Sequence, residues 1–335
     1  MCLYPKLIKN RKYTANKKNG GVIPSVTDVR MTMIPVGCGN CIECRKQKAR
    51  GWQLRLLEEV RDKKNGKFIT LTFSNASVKE LIEQKPTKNW PSMAGLEGYE
   101  LDNEIATRAV RLWLERWRKK NGTSVRHWLI TELGHNGTEN IHLHGIVWTD
   151  KDWEEIRETW QYGYMWPRKE DKEAKQRNYV GEQTVNYIIK YITKVDKKHK
   201  EYKSKILTSA GIGNKYPETV RAKQHKFNGK ETKEEYRTYS GHKMAMPIYW
   251  RNKIYTEKER EELWIKKLDE GKRYVCGEEI DANISEENYY KVLKHYRELN
   301  RELGYGNDEK NWNRIVYERE RRKLLIETRI KKEGG

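Results

Sequence analysis

Asn140-Ile141-His142-Leu143-His144-Gly145-Ile146-Val147-Trp148 follows Val125-Arg126-His127-Trp128-Leu129-Ile130-Thr131-Glu132 across a short loop bounded by Gly134 and Gly137. Both segments are rich in β-branched and aromatic residues, and a glycine-containing loop separates them, so they read as two strands of one hairpin. Side chains alternate along a strand, so His142 and His144 project from one face while Leu143 and Val147 enter a core. That pairing sets the frame for the rest of the chain.

Upstream, Phe68-Ile69-Thr70-Leu71-Thr72-Phe73 is a further strand, entered through the Asn65-Gly66 turn. Trp52, Leu56 and Val60 recur at helical spacing and predict a helix over about Arg45–Arg61. Residues 75–100 carry several turn formers and read as mostly irregular. Asp102 is placed to cap a helix whose stripe is Ala106, Ala109, Val110, Trp113 and Trp117, ended by Asn121-Gly122. After the hairpin come a helix from Asp152 to Trp160, a strand near Tyr164–Arg168 and a helix over Gln183–Lys194. The order strand, helix, strand, strand, helix, strand is that of a ferredoxin- or RRM-like α+β fold, an antiparallel sheet with helices on one face.

The flanks read differently. The first 35 residues are rich in Lys, Asn and Gly and predict an arm. Beyond Val195 a basic, apolar-poor stretch is expected to loop over the surface or track a polyanion, and Met244–Tyr249 can form one more strand. The C-terminal portion is expected to be helical, with Ser285 capping a helix that carries Tyr289, Val292, Tyr296 and Leu299 and stops at Gly304. A further helix is expected over about Glu309–Lys332. Three regions follow: 1–65, an arm with a Cys cluster and first helix; 66–255, the sheet domain with a basic extension; and 256–335, a charge-neutral helical region.

The net charge is +21 in 335 residues, with 35% charged and 36% hydrophobic. Residues 1–65 hold 15 Lys/Arg against 5 Asp/Glu, residues 186–230 hold 12 against 3, and residues 256–335 hold 19 of each. A field built by the first three-quarters of the chain suits phosphate neutralisation and counterion release; a generally basic surface without a ligand is the plain alternative. No run of 18 apolar residues and no secretory leader stands in the sequence, which is expected to be soluble and intracellular, away from the membrane.

Cys38, Cys41 and Cys44 are spaced Cys-x-x-Cys-x-x-Cys, and Cys2 can supply a fourth thiolate to a structural Zn²⁺. Reduced thiols in a loop and a redox pair are the other readings.

His142 and His144 can hold one divalent ion, with Glu132 on the neighbouring strand adding a carboxylate; a coincidental surface pair is the alternative. Tyr187-Ile188-Ile189-Lys190-Tyr191 sets two phenols at i and i+4 on one helical face, with Lys190 and Lys194 nearby. A phenol attacks a phosphate poorly unless a bound metal polarises the target; packing in a core is the other use of such a pair. Trp160, Tyr162, Tyr164 and Trp166 form an aromatic run, in which Trp160 and Tyr164 are candidates for stacking on unpaired bases. Lys194, Lys197 and Lys198 are candidate phosphate contacts. His135 reads as an exposed loop residue, and no Walker-type GxxxxGK[ST] occurs.

Taken together, Ile141-His142-Leu143-His144 resembles the His-hydrophobe-His motif of HUH endonucleases, Tyr187 to Tyr191 the Tyr-x-x-x-Tyr of their two-tyrosine class, and Phe68–Thr72 their "TLT" motif. The early Cys-x-x-Cys-x-x-Cys, Ser209–Gly213 with Tyr216, and Pro247-Ile248-Tyr249 are similar to rolling-circle replication initiators of small single-stranded DNA phages, the gokushovirus-like Microviridae. The likeness spans about residues 35–255. Many such proteins have Pro-His-Tyr-His where this chain has Ile-His-Leu-His, which leaves a plasmid initiator open.

The resemblance implies Mg²⁺ or Mn²⁺ on His142, His144 and Glu132. It implies that Tyr187 or Tyr191 is the nucleophile and keeps the 5′ end of a single-stranded DNA origin as a phosphotyrosine, and that Lys190 or Lys194 stabilises phosphate charge. It also implies a host polymerase and a host helicase as partners, in the cytoplasm of the bacterial host. A transposase or relaxase of the same chemistry, with Tyr4 or Tyr13 as an N-terminal nucleophile, and a non-catalytic basic nucleic-acid-binding protein are the alternative readings.

Overall fold

The structure is a computed structural model that describes residues 2–86, 92–134, 140–196, 202–281 and 285–307. The chain divides into two compact units: one drawn from Met1–Lys48, Lys197–Glu201 and Thr219–Gly335, the other from Ala49–Asp196 and Tyr202–Glu218.

The N-terminal segment is not a free arm. Strand β1 (Lys6–Lys9) pairs antiparallel with β2 (Met33–Val36), and the loop between them is held by side-chain bonds such as Asn10 Nδ2 to the Met31 carbonyl. Apolar periodicity is a poor guide here because asparagine side chains, not a buried stripe, order the loop. Helix α1 (Ile42–Asp62) follows.

The second unit carries the sheet. Its elements are β3 (Gly66–Leu71), α2 (Asn75–Glu83), α3 (Gly98–Asn121), β4 (Arg126–Leu133), β5 (Ile141–Trp148), α4 (Trp153–Thr159), β6 (Met165–Trp166), α5 (Lys172–Arg177), α6 (Glu182–Thr193) and β7 (Ile206–Thr208). Five strands lie in the order β6-β3-β5-β4-β7, each antiparallel to its neighbours. The first four positions are the split βαβ order expected of a ferredoxin-like sheet. Ile69, Leu71, Leu129, Leu133, Ile141, Leu143 and Val147 point to one face and pack with Leu81 of α2, Ile105, Ala109, Val110, Trp113 and Trp117 of α3, and Ile156 of α4. The opposite face carries Trp128, set edge-on to Trp52 of α1, together with the two histidines.

Three local expectations are corrected in this unit. Residues 75–83 form α2 rather than irregular chain, because the Ser74 hydroxyl accepts from the Ser77 backbone N–H and so caps a helix start. Asp102 lies inside α3, not at its cap: Tyr99 and Leu101 pack on the core and extend the apolar stripe back by one turn. Strand β7 adds a fifth, edge strand within the stretch expected to loop over the surface. The C-terminal end of α3 agrees with the sequence reading, with Gly122 left-handed at φ 73°.

In the first unit, β8 (Glu235–Arg237) pairs with β9 (Lys243–Ala245), and α7 (Ile248–Ile254) begins after Pro247. The strand expected over Met244–Tyr249 is thus three residues long and gives way to a helix. Helix α8 (Glu257–Asp269) precedes a hairpin of β10 (Lys272–Val275) and β11 (Glu278–Asp281). That hairpin separates α8 from α9 (Glu286–Glu302), which Ser285 caps and left-handed Gly304 follows. The helix expected over 309–332 lies outside the described residues. No helix among them is long and apolar enough to cross a membrane.

Candidate active site

Strand register brings the candidate ligands together. β5 is the central strand, Glu132 on β4 stands opposite His142, and Thr70 on β3 stands opposite His144. Directly opposed residues share a face, so these four side chains form one polar patch on the sheet. Gly145, next to His144, lets the strands approach, since a Cβ there would overlap the Trp128 carbonyl oxygen. Gly134 makes room for the His142 ring, which a Cβ at that position would strike.

His144 is held at both ring nitrogens. Nδ1 is 2.9 Å from the Thr70 hydroxyl and Nε2 is 2.9 Å from Glu132 Oε2. The second carboxylate oxygen, Oε1, accepts from the Lys194 ammonium. Burial works against the Glu132 charge, but the bonds from His144 and Lys194 outweigh it and hold the carboxyl below its usual range. Burial, with the neighbouring His144, lowers the pKa of His142 and so favours its neutral, ligand-competent form.

Helix α6 lies over the same patch. Its buried side is Val185, Ile188, Ile189 and Ile192, and this stripe fixes which way the two phenols project. The Tyr191 ring stacks flat on His144, with centroids 4.8 Å apart and planes 5° apart. The hydroxyls of Tyr187 and Tyr191 are hydrogen-bonded at 2.8 Å. Burial, the bond to Tyr187 and the Glu132 charge all raise the Tyr191 pKa. Tyr187 is 47% exposed and stands edge-on to Phe68, 5.8 Å between centroids. Phe68 in turn meets Trp166 edge-on at 5.7 Å, which continues the aromatic surface to the β6 edge.

The ligand set can be compared with a metal's needs. Two adjacent ligands of one octahedral ion, each about 2.1 Å from it, lie about 3 Å apart. The 2.9 Å between His144 Nε2 and Glu132 Oε2 fits that spacing. His142 stands farther off, its ring centroid 6.5 Å from that of His144, and must turn inward to join them.

The remaining sequence candidates divide clearly. Lys190 is exposed and makes no ion pair among the described residues, whereas Lys194 reaches Glu132. Tyr164 is 44% exposed, with the Arg168 guanidinium bonded to its hydroxyl, and keeps an accessible ring. Trp160 is a correction: it is 3% exposed, packs edge-on to Phe73 and Trp113, and donates its indole N–H to the Thr72 carbonyl. Its rings belong to the core and are closed to a base. Lys197, Lys198 and His135 lie outside the described residues. Cys2, Cys38, Cys41 and Cys44 come together, all four sulfurs within 4.8 Å of one another.

Thr70 and Phe68, from the stretch that resembles the "TLT" motif, join this patch, as do Trp166 and the glycines at 134 and 145, which no motif marked for it. A signal is present for Thr70 and Phe68, which alternate on β3 as the histidines do on β5, once the two strands are known to be neighbours.

Residues 66–196 match the family model described as replication-associated protein ORF2. The matched span runs from β3 through α6 and contains Thr70, Glu132, both histidines and both tyrosines. No curated protein and no solved structure gives a significant match.

Proposed function

We propose that this chain initiates rolling-circle replication by nicking and rejoining a single-stranded DNA origin through a covalent 5′-phosphotyrosine. The observation that carries the reading is the placement of two hydrogen-bonded phenols directly over a His–Glu patch, with Tyr191 stacked on His144. The match of residues 66–196 to a replication-associated family supports the same role.

His142, His144 and Glu132 would hold Mg²⁺ or Mn²⁺. When bound there, the ion supplies Lewis-acid polarisation of the scissile phosphate and stabilises its developing charge. Thr70 orients His144 through Nδ1, so that Nε2 is presented toward Glu132. One phenol oxygen attacks phosphorus; the P–O3′ bond breaks, the phenol loses its proton and the 3′ oxygen gains one. The new phosphotyrosine conserves the energy of the broken bond. The free 3′-OH then primes a host polymerase. After one round the second tyrosine attacks the regenerated origin, and the released 3′-OH displaces the first tyrosine to close the circle. Lys194, freed from Glu132, is placed to offset phosphate charge. The sequence has no nucleotide-triphosphate loop, so strand separation falls to a host helicase.

A relaxase-like use of the N-terminal tyrosines fits less well. Tyr4 is buried and the Tyr13 hydroxyl donates to Glu261 at 2.6 Å.

The test is incubation with labelled circular single-stranded DNA carrying the cognate origin, with and without Mn²⁺, followed by denaturing electrophoresis. A metal-dependent protein–DNA adduct that is lost in His142→Ala supports the proposal. Tight, salt-sensitive binding without any adduct would replace it with a non-catalytic nucleic-acid-binding role.

A further inference from the structure

The four cysteines outside the sheet domain form a second site with a different chemistry. Cys2 precedes β1, Cys38 and Cys41 bracket the turn after β2, and Cys44 lies in the first turn of α1. Cys2 and Cys41 sulfurs are 3.8 Å apart, and those of Cys38 and Cys44 are 4.0 Å apart. A tetrahedral zinc with Zn–S bonds of about 2.3 Å requires S···S separations of about 3.8 Å. A disulfide requires about 2.05 Å, and all five cysteines are free.

The backbone around these sulfurs is arranged for thiolates. Cys2 Sγ accepts from the N–H groups of Tyr4 and Cys38, at 3.3 and 3.2 Å. Cys38 Sγ accepts from Asn40 and Cys41, at 3.4 and 3.3 Å. Such outer bonds orient metal-bound sulfur and spread its charge. The turn that makes them needs left-handed Gly39, at φ 76°. Gly37 is also constrained, since a Cβ there would come within 3.0 Å of Cys44 Sγ.

We infer that Cys2, Cys38, Cys41 and Cys44 bind one structural Zn²⁺ and that this ion is the centre of the unit built from both ends of the chain. Leu3, Tyr4, Cys41 and Ile42 pack with Val275 and Ile280 of the β10–β11 hairpin and with Tyr289 and Leu293 of α9. Polar bonds follow the same seam: the Ile42 N–H donates to Asn300 Oδ1 at 2.8 Å, and Arg297 Nε donates to the Leu3 carbonyl at 2.9 Å. This apolar cluster is small, and small cores are commonly completed by a metal. Cys276 lies at the hairpin turn, packed against the cluster but outside the four-sulfur group. Zinc at this site is independent of the nicking chemistry, and either can fail without the other.

The test uses the full chain. Metal content by plasma mass spectrometry is expected to give one zinc per chain after dialysis. Replacement by Co²⁺ is expected to give the thiolate charge-transfer and intense visible bands of a tetrahedral four-sulfur site. Cys276→Ser retains the ion, while Cys2→Ser and Cys41→Ser lose it. Chelation raises hydrogen exchange in β1, the β10–β11 hairpin and α9 and leaves β3, β4 and β5 protected. Protein that carries no zinc, with all five thiols titrating freely and no cobalt–thiolate bands, overturns the inference. So does a Cys2–Cys41 disulfide in the purified chain. The wild-type cobalt spectrum decides the matter even if the serine variants do not fold.

Discussion

The hydroxyls of Tyr187 and Tyr191 share one 2.8 Å hydrogen bond, yet the two phenols occupy different surroundings. Tyr191 lies flat on His144 and is made harder to ionise by burial, by Tyr187 and by the Glu132 charge. Tyr187 is nearly half exposed. Raising a pKa by one reduces the phenolate fraction about tenfold at a fixed pH. Tyr187 is therefore expected to attack first. Single-turnover adduct formation should fall by about tenfold or more in Tyr187→Phe and less in Tyr191→Phe. The opposite ranking would show that DNA binding rearranges the pair.

Lys194 and His144 occupy the two oxygens of Glu132, so a metal ion must compete with an ammonium for that carboxylate. Lys194 is well exposed, and solvent screening limits the worth of such a pair to about 1 kcal/mol or less. Lys194→Gln should therefore lower the Mn²⁺ concentration for half-maximal nicking by about fivefold at most. A metal titration of the two proteins checks this. An increased metal requirement would mean that Lys194 assists metal binding rather than opposing it.

At Gly145 an added methyl would overlap backbone atoms of Trp128 and Leu129, which no side-chain rotation can relieve. Gly145→Ala is expected to destabilise the sheet domain by about 3 kcal/mol or more. Urea denaturation of wild type and variant measures it. A change below about 1 kcal/mol would contradict so close an approach of the strands.

His127 is buried on the core face of the sheet, beside Trp113 of α3, where its Nδ1 lies 3.1 Å from the Val125 carbonyl and 3.0 Å from the Ser209 hydroxyl. Burial depresses its pKa below the ordinary histidine value. The unfolded chain thus takes up this proton more readily than the folded one. The stability that neutral His127 contributes is complete above about pH 6.5 and is lost as pH falls toward the folded value, at no more than about 1.4 kcal/mol per pH unit. Glu132, also depressed, acts in a separate and more acidic window, below the ordinary carboxylate range. Melting temperature should decline on acidification from about pH 7 to about pH 5, with a shallower decline in His127→Gln. Equal slopes in the two proteins would assign the effect to other groups.

The sheet is legible in the sequence because its three long strands are β-branched or aromatic and because α3 shows an unbroken apolar stripe. The elements that sequence does not reveal share a different cause. β7 is only three residues long and sits at an edge of the sheet, and the β10–β11 hairpin turns just Val275 and Ile280 into a buried cluster. Neither carries enough periodicity to stand out from charged surroundings. In the site, residue types and spacing point to Glu132, His142, His144, Tyr187 and Tyr191. The register of β3 against β5 sets Thr70 and Phe68, from the stretch that resembles the "TLT" motif, beside them. Trp160 misleads because aromatic density does not reveal which ring faces the core; its indole lies among Phe73, Trp113 and Tyr162.

The most direct measurement is mass spectrometry of peptides from protein incubated with an origin oligonucleotide and Mn²⁺, then digested with nuclease and protease. Tyrosine catalysis predicts a nucleotide attached through phosphate to the peptide spanning Tyr187–Tyr191, on Tyr187 in the first turnover and absent from the double Phe variant. A nucleotide on any other residue, or cleaved DNA with no modified peptide, would contradict it.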